Sequence, residues 1–144
     1  MSWNEVKNHY TFANAYERLE EFLIYGLYPE VVTESKKQKI LLQLAGSYLY
    51  KDILELVNIK KPDLLMKLLN ALALQLGSEV SYNELSKILG VDRMTVVNYI
   101  DLLEKAFVIF RLHPYSSNQR NEITSKPKIY FYDNGIRNAI IGQF

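Results

Sequence analysis

Three side chains in the run Arg93-Met94-Thr95-Val96-Val97-Asn98 have the chemistry to read a nucleic acid. An arginine guanidinium and an asparagine amide each pair with the major-groove edge of a base, guanine and adenine respectively, and a threonine hydroxyl bonds phosphate. Val96, Ile100 and Leu103 recur at helical spacing and should face inward, which leaves Arg93, Met94, Thr95, Val97, Asn98 and Asp101 outward. Asp101 works against the reading, because a carboxylate facing a groove repels phosphate. The same face supports a second reading, in which Met94 and Val97 bury against another domain.

Arg120, Lys126 and Lys128 form a further cationic set around the polar stretch 116–127, suited to holding phosphates without reading sequence. Three cations give modest affinity at physiological salt, so helix and loop should act together on duplex DNA, in a homo-oligomer. Lys36, Lys37 and Lys39 cluster at a helix start, where the dipole disfavours cations, and are expected to be solvated. Among the eleven tyrosines, Tyr48 and Tyr50 lie beside Lys51 and Asp52, with core packing the expected role.

Other chemistries find no residues. His9 and His113 lack the spacing of a metal-ligand pair, and no glycine-rich Lys-Ser/Thr loop is present to cradle a nucleotide. Glu20 and Glu21 are adjacent, so a helix points them apart. With no cysteine there is no disulfide or thiolate zinc site. The expectation is a non-catalytic chain with no catalytic residue, metal or cofactor of its own. Seventeen Lys and Arg against sixteen Asp and Glu leave a net charge of +1, well short of the basic excess of a dedicated nucleic-acid binder. The cations fall late, however, and Lys105, Arg111, Arg120, Lys126, Lys128 and Arg137 make the last third locally basic. No apolar run approaches the ~20 residues of a membrane span and no leader is visible, so a cytoplasmic protein without membrane contact is expected.

The elements that would position these groups follow from periodicity. Ala15, Leu19, Phe22 and Leu23 mark a helix over 14–25, stopped by Gly26 and Pro29. A longer one over 36–57 carries Leu41, Leu44, Ala45, Tyr48, Leu49, Ile53 and Leu56. Pro62 opens a third, with Leu65, Leu68, Leu69, Leu72 and Leu76 on one face and Gly77 at its end. Ser81 and Glu84 read as a capping box for a short helix burying Leu85, Ile88 and Leu89. Gly90 permits a sharp turn, Val91 plugs it, and Asp92 caps the helix 93–106. Residues 107–112 alternate as a strand, with Val108, Phe110 and Leu112 on one face, and 128–132 return with Ile129 and Phe131 on one face. Asp133 caps a last short helix containing Ile136, Ala139 and Ile140. The expected fold is mainly α with a small antiparallel β-hairpin: a helical lid-like segment over 1–77, then a winged helix-turn-helix over 78–144. An apolar end at Phe144 leads to the expectation of a piece of something longer, or of an end that docks on another surface.

The segment Tyr25-Gly26-Leu27-Tyr28-Pro29-Glu30-Val31-Val32 resembles the glycine-leucine-proline-glutamate-valine stretch that follows the nucleotide-binding core of a group of bacterial and archaeal AAA-type ATPases. Tyr48-Leu49-Tyr50-Lys51-Asp52-Ile53 is similar to that group's tyrosine-aspartate helix, and Lys128-Ile129-Tyr130-Phe131-Tyr132-Asp133-Asn134-Gly135 to its strand ending in aspartate-x-glycine. The resemblance covers most of the chain. It implies an ATPase domain before this region and commonly a domain like the restriction-endonuclease folds after it. ATP and Mg²⁺ would then belong to the missing N-terminal domain and to no residue here, and the ATPase core would be a partner.

Overall fold

A computed structural model describes residues 1–48, 62–115 and 126–144. The described residues are mainly helical, with a two-stranded antiparallel sheet. It divides into two compact units, Met1–Tyr50 with Asp133–Phe144, and Lys51–Tyr132. The division therefore differs from a boundary after Gly77. The helix opened by Pro62 belongs with the strands, and the last helix belongs with the N-terminal segment.

In the first unit, Ser2 and Glu5 form a capping box that starts α1 (Trp3–His9). The helix expected over 14–25 is two helices, α2 (Phe12–Glu17) and α3 (Leu19–Tyr25), because Arg18 leaves helical geometry at φ −97°, ψ 10°. Its guanidinium bonds Glu21 and lies 4.5 Å from the Tyr10 ring centroid. The break narrows the buried stripe to Ala15 and Phe22, and leaves Leu19 and Leu23 exposed against expectation. α4 (Pro29–Thr33) has proline in its first turn, where the missing N–H costs nothing. α5 (Lys37–Gln43) widens into a π-helical turn at Leu44–Tyr48. The rest of the expected long helix, with most of the Tyr48 to Ile53 motif, lies outside the described residues. Val6, Ala15, Phe22 and Val32 form the core, flanked by Trp3, Tyr10 and Leu27.

α9 (Asn134–Ile141) joins this unit by packing on α3 and α5. A Cβ added at Gly26, whose φ is +75°, would fall 2.1 Å from Asp133 Oδ1, and one at Gly135 would fall 2.0 Å from the Tyr25 carbonyl oxygen. Both glycines are required by close approach. The first and third segments of the ATPase-like pattern thus touch.

In the second unit, α6 (Pro62–Leu74) buries Leu65, Leu68, Leu69 and Leu72 as expected, with Leu64 and Ala73. Leu76, beyond the helix end, is only half-buried. Ser81 Oγ accepts from Glu84 N to begin α7 (Tyr82–Leu89), which buries Leu85. Ile88, expected inside, is 61% exposed, and Leu89 is half-buried. Asp92 caps α8 (Arg93–Lys105), whose buried residues are Val96, Ile100 and Leu103. β1 (Ile109–Leu112) pairs with β2 (Lys128–Phe131) in the register Ile109 to Phe131, Phe110 to Tyr130 and Arg111 to Ile129. The inward face of β1 carries Ile109, while Leu112 is exposed and Val108, just before the strand, is buried as well. The cross-strand partners Ile129 and Phe131 dictate this, since directly opposed residues share a face. Across β2 from β1, Val80 N bonds Pro127 O and Glu79 bridges Lys128.

Three helices end in one motif. Val91 N bonds Ser86 O, Gln143 N bonds Asn138 O and Val108 N bonds Leu103 O, each at 3.0 Å. The left-handed residue closing each turn is Gly90, Gly142 and Phe107, at φ 66°, 67° and 55°. Glycine takes this conformation without penalty and phenylalanine does not.

Candidate nucleic-acid interface

The face of α8 starts with its cap. Asp92 Oδ1 accepts from Thr95 N at 2.8 Å and its Oδ2 accepts from the Thr95 hydroxyl at 2.6 Å, which holds the carboxyl below its usual range. The hydroxyl proton of Thr95 is therefore committed to the cap, and only its lone pairs remain for another partner. Arg93 is exposed, its guanidinium 5.9 Å from the Tyr82 ring centroid. Asn98 is exposed too, but five residues on, or about 140° around the helix. Arg93 shares a stripe with half-buried Val97, and Asn98 shares one with Met94, which is 60% exposed.

Asp101 does not stand unpaired. Arg111 Nη2 lies 2.7 Å from Asp101 Oδ1, and the same guanidinium bonds Glu104, whose Oε1 also accepts from Arg111 N at 2.9 Å. Burial opposes the charge on both members of the second pair. Their mutual hydrogen bonds outweigh it, lowering the Glu104 carboxyl and raising the Arg111 guanidinium from their usual ranges. β1 thus supplies one cation shared by two carboxylates of α8, offsetting one of their two charges. Helical periodicity alone had marked Asp101 as repulsive.

Lys126 and Lys128 are exposed around the start of β2, while Arg120 lies outside the described residues with the stretch 116–125. Of the residues singled out in the sequence, Arg93, Thr95 and Asn98 lie on α8, Lys128 opens β2 and Lys126 just precedes it. Sequence reasoning missed the aromatic face of the ribbon. The ring centroids of Phe107 and Tyr132 are 5.9 Å apart, those of Tyr132 and Phe110 5.1 Å, and those of Phe110 and Tyr130 5.6 Å. The signal was present, since Tyr130 and Tyr132 alternate with the buried Ile129 and Phe131.

The lysine cluster also departs from expectation. Lys36 and Lys39 are exposed, but Lys37 is buried, its ammonium donating to the carbonyls of Val31 and Val32 and lying 3.4 Å from Glu21 Oε1. With Glu21, Tyr25, Ser35 and Gln38 these lysines line an open cleft of about 480 Å³. Among the described residues, no group of three His, Asp or Glu is arranged to hold a metal and no helix is long and apolar enough to cross a membrane.

The model of the family described as domain of unknown function DUF8612 matches residues 16–144. The chain belongs to this family. Relatives of this DUF8612 chain include an uncharacterized protein of Haemophilus influenzae, 29% identical over 130 residues, covering 85% of this chain and 32% of the relative. Two come from Methanocaldococcus jannaschii. Uncharacterized protein MJ1637 is 32% identical over 94 residues, covering 64% of this chain and 20% of its own length. Uncharacterized protein MJ1544 is 25% identical over 142 residues, covering 92% and 32%. The chain spans about a third or less of the length of these curated relatives. No solved structure matches it.

Proposed function

We propose that residues 78–132 form a winged helix-turn-helix that holds duplex DNA, as a non-catalytic cytoplasmic module of a longer AAA-type ATPase. Supporting the architecture are the order α7, turn, α8, ribbon, and the bridge that residues 79–80 add beside β2. The length of the relatives supports a longer parent protein, and the ATPase part of the reading rests on the sequence resemblance of the segments 25–32, 48–53 and 128–135. Its ATP and Mg²⁺ would be bound by the ATPase core, and this chain would pass nucleotide state to the DNA.

The observation that carries the DNA reading is the Arg111 to Asp101 ion pair. Shared with Glu104, the guanidinium offsets part of the negative charge of α8, and Arg93 and Asn98 remain as exposed base-reading types, with Lys126 and Lys128 for phosphate. Titration of a fluorescent duplex at low salt tests it. Wild type should bind; Arg93→Ala should weaken binding by about 1–3 kcal/mol, and each of Lys126→Ala and Lys128→Ala should reduce the salt slope by about 1. Undetectable binding, or binding unchanged in the triple variant, rejects the proposal.

Exposed Met94 and Ile88, at 60% and 61%, favour a second reading, in which this surface docks on the ATPase core. Met94→Glu would then release the module from the core and leave DNA binding unaffected.

A further inference from the structure

The series of rings from Phe107 through Tyr132 and Phe110 to Tyr130 lies on the side of the ribbon away from buried Ile109 and Ile129. Its first two members are the most open, with Phe107 74% and Tyr132 56% exposed. Phe107 is also the residue that closes a left-handed turn of the kind closed elsewhere by Gly90 and Gly142. An exposed aromatic in that position is unfavourable on both counts, as a solvated ring and as a strained backbone. Folding alone gives no reason for it.

Charge indicates the occupant. Lys105 precedes Phe107 in the chain, and exposed Lys126 and Lys128 precede Tyr130, so cations accompany the ring series at both ends. The nearby carboxylates of Asp101 and Glu104 are engaged by Arg111, on the opposite face of β1. Glu79, which bridges Lys128, is a further acidic neighbour, and Asp133, which follows Tyr132, accepts hydrogen bonds from Leu27 N and Ile136 N. Flat rings spaced along a surface with flanking ammonium groups suit a strand whose bases stack and whose phosphates are paired by lysine.

We propose that the outer face of the β1–β2 ribbon binds single-stranded nucleic acid, stacking unpaired bases on Phe107 and Tyr132. This goes beyond the duplex reading, since it uses the sheet and not α8.

The test is fluorescence anisotropy of the whole chain with a short labelled oligothymidylate, alongside the duplex. Wild type should bind the oligothymidylate at low salt. Phe107→Gly, which suits the left-handed turn, should weaken it about ten-fold while raising the melting temperature, and Tyr132→Leu, which keeps an apolar side chain, should weaken it similarly. Arg93→Ala should leave it unchanged. Absence of binding at low salt, or unchanged binding in both ring variants, overturns the inference. So does a concentration-dependent dimer of the wild type that Phe107→Gly dissociates, since a second copy would then occupy the face. If oligothymidylate fails while the duplex binds, this inference falls alone; the converse result rejects only the duplex reading.

Discussion

Asp133 Oδ2 accepts a hydrogen bond from Leu27 N at 2.8 Å across 106 positions of sequence, while Oδ1 accepts from Ile136 N at 3.0 Å and starts α9. One carboxylate closes the turn after Gly26 and caps the last helix, and Asn138 adds a bond to Ile24 O at 2.8 Å. Asp133→Ala removes both bonds and should cost about 2–3 kcal/mol in urea unfolding, with Asp133→Asn, still a good cap, costing less. Gly135→Ala should cost more, because the obstacle at 2.0 Å is the Tyr25 backbone, which has no rotamer to escape into. A wild-type urea midpoint for Gly135→Ala would rule out this interlock.

Lys37 closes the end of α4 by donating to the Val31 and Val32 carbonyls, with Glu21 as its counter-ion. Lys37→Met strands those acceptors and should destabilise by about 2–4 kcal/mol, whereas Lys36→Met and Lys39→Met, at exposed sites, should stay within about 0.5 kcal/mol. Equal effects at the three positions would show that the buried clamp does not form.

For Glu104 the sign of the pH dependence follows from its lowered pKa. Burial works against the carboxylate and the bonds from Arg111 overcome it, so the folded value lies below the usual 4.5. The unfolded chain takes up this proton first as pH falls. The contribution is therefore complete above the ordinary carboxylate range and is lost as pH drops through the folded value. Thermal melts from neutral pH to below 4.5 should show a shallower acid loss for Glu104→Gln than for wild type; parallel curves would place the acid sensitivity elsewhere, with Glu21 the next group to examine.

Phe107→Gly should raise stability. A left-handed L-residue costs about 1–2 kcal/mol, part of which is offset by glycine's greater unfolded freedom and by loss of the ring contact with Tyr132, leaving a net gain of about 1 kcal/mol or less. A drop in the urea midpoint would mean that the ring contributes more than the turn costs.

Much of the local structure was legible before any coordinates. Pro62, Ser81, Gly90 and Asp92 act within one or two turns of themselves, so their caps and stops follow from residue type alone. The apolar stripes of α6 and α8 also follow from residue type, because 3.6-residue spacing is a local property. Where an element's inner face depended on its partner, periodicity failed. It misplaced Ile88 and ran one helix through Arg18.

The candidate interface divides the same way. Residue type alone marked Arg93 and Asn98 as candidate base-reading groups and Lys126 and Lys128 as candidate phosphate-binding ones, and the structure shows all four exposed. That Arg111 pairs with Asp101 and that four rings line up on the ribbon depended on which strand pairs with which and in what register, whereas the bond of Thr95 to Asp92 is local to the cap. The sequence by itself settled a mainly helical chain with its turns and caps in place. Only tertiary structure set Asp133 against Gly26 and Arg111 against Asp101, because hydrogen bonds and ion pairs act over a few ångströms, whatever the number of residues between the partners.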